Sequence, residues 1–191
     1  MKKSFVLIIC LVFVTALSLY GFEKGTKSVG GTISFYGYKI NNEYSTRHVL
    51  SIAPQVSYFV IDNLSVDVHV LIDRAWGGNT YSTTSLGIGL GGRYFYKKFY
   101  GGVFFNYSAV RRITTVLVDD MLVYDGYNWN KRKDLTLRAG RLFGIAKNIY
   151  LDLGIFYNMG LGKISNSVDS LSSRDNERTE FGMLAGIAIF I

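Results

Sequence analysis

Cysteine is nearly missing from this 191-residue chain. The single Cys10 sits inside an apolar stretch near the start. With that stretch removed there is no disulfide and no cysteine–metal site. Proline is just as scarce, with Pro54 alone, while glycine reaches 21. Charge is thin at 18%, against about 25% in a typical globular chain. After residue 21 no apolar run is long enough for a membrane-crossing helix, for which about 20 residues are needed. The two histidines, His48 and His69, stand too far apart in sequence for a metal motif. The formal net charge is +7, yet no basic helix or cluster focuses it, which argues against nucleic acid as a partner.

What is present begins with a targeting pattern. Lys2 and Lys3 precede the apolar segment from Phe5 to Leu19, and small residues follow. Residues 1–21 therefore read as a signal peptide, with cleavage after Ser18 or Gly21. Its removal takes away two lysines and lowers the net charge from +7 to +5. Ile9 before Cys10 is too bulky for a lipoprotein site, and residues 22–191 read as one domain without linker or repeat.

The rest of the chain alternates with a period of two, the mark of strands. In "LSVDVHVLID", residues 64–73, Val66, Val68, Val70 and Ile72 share one face. Asp67, His69, Leu71 and Asp73 share the other. Leu86, Ile88, Leu90, Tyr94 and Tyr96 likewise oppose Gly87, Gly89, Gly91 and Arg93. Eight such segments are expected near 28–40, 47–61, 64–76, 83–97, 99–112, 134–146, 149–162 and 179–191. They are longer than ordinary strands of about 5–6 residues and long enough for tilted membrane strands of about 9–11.

The links alternate in length. Asp62-Asn63, Lys97-Lys98 and Lys147-Asn148 are tight polar turns, while 41–46, 77–82, 113–133 and 163–178 are longer. This rhythm predicts an all-β, eight-stranded antiparallel up-and-down transmembrane barrel with its short turns in the periplasm. The inward face is rich in Gly, Ser and Asn with a few charges, as suits a narrow lumen. The apolar face then meets membrane lipids, where closed pairing satisfies every backbone group. A soluble barrel with its apolar face inward is the alternative reading.

The short stretches carry a resemblance. "PQVSYFVIDNLSVDVHV", residues 54–70, and above all "YFVIDNLSV" within it, resemble strand, turn and strand of small outer-membrane β-barrel proteins of the OmpA-like and OmpX-like, porin-family type. The end, "FGMLAGIAIFI", looks like the C-terminal strand that the barrel-assembly machinery recognises in that family. The family's usual last residue is Phe; here Phe190 precedes Ile191. The resemblance implies the fold and a bacterial outer-membrane location. It does not imply one activity, because the family holds pores, adhesins, membrane staples and lipid-modifying enzymes.

Three groups of residues are candidates for function. Asp67, His69, Asp73, Arg93, Arg138 and Asp152 are expected in the lumen as a polar network, with Asp67–Arg93 and Arg138–Asp152 as the first pairs. The same residues could instead line a path for ions or small solutes. In the 113–133 link, residues 114–129 could extend the hairpin beyond the membrane as a ribbon, and its Tyr124, Tyr127 and Trp129 are candidates for contact with a surface ligand or host molecule. Rings beside the short turns, namely Tyr58, Phe59, Tyr94, Phe95, Tyr96, Phe99, Tyr100, Phe143, Tyr150 and Phe190, are expected to form an interfacial belt. His48 and Ser51, an odd number of positions apart, should face opposite sides of a strand, so a lipid-editing site is not expected. The reading is therefore a monomeric, non-enzymatic barrel without cofactor, with an envelope-structural or surface-contact role. A narrow pore is the alternative, and a lipid-modifying enzyme is less favoured.

Overall fold

The computed structural model describes residues 22–39, 46–76, 81–118, 121–161 and 179–191. Its eight strands are β1 (Lys27–Lys39), β2 (Thr46–Ile61), β3 (Leu64–Trp76), β4 (Tyr81–Tyr96), β5 (Phe99–Val118), β6 (Met121–Ala146), β7 (Ile149–Gly160) and β8 (Thr179–Phe190). Each pairs antiparallel with its neighbours, and β1 pairs with β8 to close the barrel. The shortest strands, of 12 residues, rise about 30 Å at a tilt near 40°. That matches a bilayer's hydrocarbon core.

The two faces of the wall are inverted relative to a soluble protein. Val29, Ile33, Val68, Leu86, Ile88, Leu90, Met183 and Ile187 point outward and exposed. Asp67, Ser65, His69, Ser108, Thr136 and Asp152 point inward and buried. An exposed apolar surface of this extent calls for a non-aqueous partner, and lipid is the solvent that suits it.

Strand limits fall within two residues of expectation except at one hairpin. There β5 runs on to Val118 and β6 begins at Met121. Most of the expected 113–133 loop is thus a two-stranded ribbon, with Ile113 opposite Tyr127 and Val116 opposite Tyr124. Length explains it: 20 and 26 residues exceed what crosses a bilayer, and the ladder continues into water.

The short turns carry the only positive φ angles among described non-glycine residues: Asn63 at 66°, Lys97 at 58° and Asn148 at 62°. Asparagine tolerates this left-handed region. Both asparagine turns sit beside a register shift, at Phe59/Ile61 and at Gly144/Ala146, as a bulge requires. Lys97 has no such excuse. Tyr96 and Phe99 pair directly across a two-residue turn.

Candidate functional site

The lumen is filled in layers, and the lowest is a cork. Phe59, Phe95, Tyr100, Leu142, Ala188 and Phe190 pack together inside the short-turn mouth, with Phe22 and Tyr150 against them. Phe22 precedes β1 and folds back under the barrel. Its ring stacks on Phe190 with centroids 4.2 Å apart and planes 7° apart, and it lies 5.1 Å from Phe59 and 5.2 Å from Phe95. Asn63 holds it from both sides. The Phe22 amide donates to Asn63 Oδ1 at 3.0 Å, and the Asn63 amide donates to the Phe22 carbonyl at 2.9 Å.

This layer corrects the belt. Tyr58, Tyr94, Tyr96, Phe99 and Phe143 do face outward. Phe59, Phe95, Tyr100 and Phe190 face the lumen, and half-buried Tyr150 packs against them. The reason is alternation itself: neighbours along a strand point to opposite faces, so adjacent rings cannot all reach lipid.

Above the cork lies an ionic layer centred on Arg93. Its Nε donates to Asp67 Oδ2 at 2.8 Å, and Nη2 donates to Ser57 Oγ at 3.1 Å and to Asp67 Oδ1 at 3.3 Å. Its Nη1 is 3.7 Å from Asp152 Oδ2. The guanidinium also lies 5.2 Å from the rings of both Phe95 and Tyr100. Ser65 donates to Asp67 at 2.9 Å, and Tyr100 donates to Asp152 at 2.7 Å. The expected Asp67–Arg93 pair is present. The expected Arg138–Asp152 pair is not: across the β6–β7 ladder Arg138 stands opposite Phe156, whereas Asp152 stands opposite Leu142. Arg138 instead covers the Phe104 ring at 4.5 Å and reaches Gln55 at 3.5 Å, while its Nε has no hydrogen-bond partner.

The next layer is a hydrogen-bonded girdle running through six strands. His69 Nε2 lies 2.9 Å from Asn106 Oδ1. Asn106 donates to Thr136 Oγ1 at 2.7 Å, Thr136 donates to Asn158 Oδ1 at 2.6 Å, and Asn158 donates to Glu180 Oε2 at 3.3 Å. Tyr36 closes the run by donating to the same Glu180 oxygen at 2.7 Å. Since the Asn106 amide nitrogen is committed to Thr136, its oxygen accepts, so the proton of His69 is on Nε2. Nδ1 then has no partner. Two amides interrupt the run, and an amide does not relay a proton as a carboxyl or hydroxyl does. The girdle braces the wall and is no proton path. Gly89 makes room for it, because a Cβ there would collide with the His69 ring and Asn106 Oδ1.

Nearer the long-loop end, Arg132 Nε donates to Asp134 Oδ2 at 2.6 Å, and its Nη2 is 3.6 Å from Asp73 Oδ2. Ser51 donates to Asp73 at 2.5 Å. A cavity of about 40 Å³ remains among Ser34, Ser51, Asp73, Asn106, Arg132 and Asn158. A second of about 10 Å³ lies beside Gln55, Ser57, Arg93 and Asp152. These volumes hold a few waters at most.

All six expected lumen residues thus point inward, though they belong to separate layers. Ser51 faces the lumen, whereas the His48 ring stacks on exposed Phe35 at 5.8 Å, so the two form no dyad. Among the described residues no group of three His, Cys, Asp or Glu is placed to hold a metal. Tyr124, Tyr127 and Trp129 belong to β6 by their backbone; their side chains lie outside the described residues. The sequence reading missed Tyr36, Asn106, Arg132, Asp134, Thr136, Asn158, Glu180 and the corking role of Phe22, and it put Tyr100 on the wrong side of the wall. Parity could have found Arg132, Asp134 and Thr136, which alternate inward with Arg138 on one strand.

No family model matches the chain, and no curated sequence does. Solved structures do match. Neisserial surface protein A is 14% identical over 87% of this chain and 97% of its own, with a TM-score of 0.55. The translocator domain of the autotransporter NalP from Neisseria meningitidis is 15% identical over 97% of this chain and 69% of its own, with a TM-score of 0.47. The outer membrane protein OprG from Pseudomonas aeruginosa is 12% identical over 90% of this chain and 98% of its own, with a TM-score of 0.46. At such identities the likeness speaks for fold alone, and only the first score exceeds 0.5. The closed antiparallel wall, its lipid-suited exterior and this match lead to one conclusion: the chain has the fold of a small eight-stranded outer-membrane β-barrel.

Proposed function

We propose that this protein is a plugged, non-enzymatic barrel of the bacterial outer membrane whose work is done at its rim and surface loops. The supporting observation is the filled lumen. A cork of rings, an Arg93 layer and a girdle lie in series, with small cavities of about 10 Å³ beside Arg93 and about 40 Å³ between the girdle and the Arg132 group. Eight strands leave an interior just wide enough for side chains, and here side chains occupy it. The long β5–β6 ribbon is then the part best placed to meet other molecules outside the cell. Export by residues 1–21 and delivery of β8 to the barrel-assembly machinery belong to the same reading.

The narrow-pore reading draws support from the outer half of the lumen. There Asp73 and Asp134 meet Arg132, and buried Glu180 faces the same half of the lumen. The polar space stops at Arg93, however. Planar-bilayer recording of folded protein decides between the two readings. We expect no discrete openings at molar salt; stepwise, salt-dependent conductance would overturn the plugged barrel. Protease treatment of whole cells should clip the ribbon and leave the barrel intact.

A further inference from the structure

We propose that the outer end of β3–β6 carries a phosphate clamp for an anionic amphiphile of the outer leaflet, a deepening that rests on the outer-membrane reading above. Arg74, Arg111, Lys131 and Lys133 all turn outward and are exposed. Arg74 and Arg111 flank Thr84, which pairs with both, so their strands are about 10 Å apart. Lys131 stands opposite Ala109 and Lys133 opposite Tyr107. Arg111 and Lys131 are therefore diagonal neighbours at roughly 7–8 Å. Among the described side chains, β3 to β6 turn no carboxylate to the outside: Asp67, Asp73 and Asp134 are all buried in the lumen. Among the described side chains this outer surface therefore carries one sign of charge.

Its depth identifies the occupant. Between the short-turn ends and these cations lie residues 64–73 of β3, 99–110 of β5 and 134–146 of β6, enough for the roughly 9–11 residues that a tilted strand needs to cross a bilayer. Toward the short turns the same wall is apolar, with Leu86, Ile88 and Leu90 exposed. Tyr107 marks the boundary with an apolar ring and a polar tip. Acyl chains would lie along the aliphatic wall while phosphates meet the cations. Arginine forks and lysine ammonium groups both bind phosphate oxygens through charge-assisted hydrogen bonds. A soluble anion would use only the upper half of this surface, so the occupant is a phosphate-bearing lipid.

The test uses folded protein in neutral detergent, where cell location plays no part. A bisphosphorylated glucosamine-based lipid, the same lipid after phosphatase treatment, and inorganic phosphate are the probes, with adducts counted by native mass spectrometry. The phosphorylated lipid should be retained and its dephosphorylated form should not. The R74Q/K131Q/K133Q variant should lose about a hundredfold in affinity, at the usual gain for each basic residue near a charged lipid surface. The R74Q and K133Q single variants should each lose part of it. K97Q/K98Q at the opposite mouth should bind like the parent. Equal retention of the dephosphorylated lipid, undiminished binding by the triple variant, or an equal loss in K97Q/K98Q would overturn the proposal. So would full displacement by millimolar inorganic phosphate, which would name a soluble ion as the ligand. Heat-shifted gel migration verifies that each variant is folded. Cell fractionation tests the membrane location separately, so either reading can fail without the other.

Discussion

At the scale of single residues, two arginines of the same lumen face opposite tests. Arg93 is buried against Asp67 and near Asp152. Replacing it with Met leaves those carboxylates without their cation, and breaking a buried pair in this way costs about 3–5 kcal/mol. Arg138 has only a long hydrogen bond to Gln55, a ring beneath it and an Nε without a partner. Arg138→Met removes an unsatisfied donor and keeps most of the stem packing, so its cost should stay under about 1 kcal/mol. Urea unfolding in lipid vesicles measures both. Equal losses would mean that the layer depends on total charge and not on the specific pairing.

Among the elements, the short turns are where local chemistry and backbone shape disagree. Lys97 holds a left-handed φ without being Gly or Asn, a conformation that costs a non-glycine residue about 1 kcal/mol or more. Lys97→Asn should therefore stabilise the β4–β5 hairpin by about 0.5–1 kcal/mol, seen as a higher urea midpoint with unchanged slope. The strands themselves were legible because lipid on one side and a crowded lumen on the other impose strict alternation, as in Val66 to Asp73. That signal fades where both faces meet water. Hence the alternation ends at Arg112 and begins again at Asp134, with the ribbon over 114–129 readable only as an extension of the hairpin, and Arg132 falls in the link although its side chain lies in the lumen. Register is invisible for a related reason. Which residue of β7 stands opposite Arg138 depends on the bulge at Gly144/Ala146, and no composition records it. The cork was hidden because ring content near a turn fixes depth but not side, and Phe22 lies outside any alternating run.

For the molecule as a whole, the layers act in series. Phe22→Ala opens the lowest one, yet the Arg93 layer still bars the way, so this variant should remain silent in planar bilayers. F22A/R93S, assayed on the heat-shifting folded fraction, should conduct and favour cations, because Asp67, Asp73, Asp134, Asp152 and Glu180 still face the lumen. Anion preference in that variant would sink the layered account. The same cork has a consequence for assembly. The β1–β8 seam runs only from Ser28↔Phe190 to Phe35↔Met183, the shortest ladder described, and it joins strands that lie at opposite ends of the barrel sequence. Tyr36 and Glu180 fasten it toward one mouth, and Phe22 on Phe190 fastens it at the other. A wall that must close on itself last is thus riveted at both rims of its weakest joint. A chain lacking either end would form hairpins but no watertight cylinder.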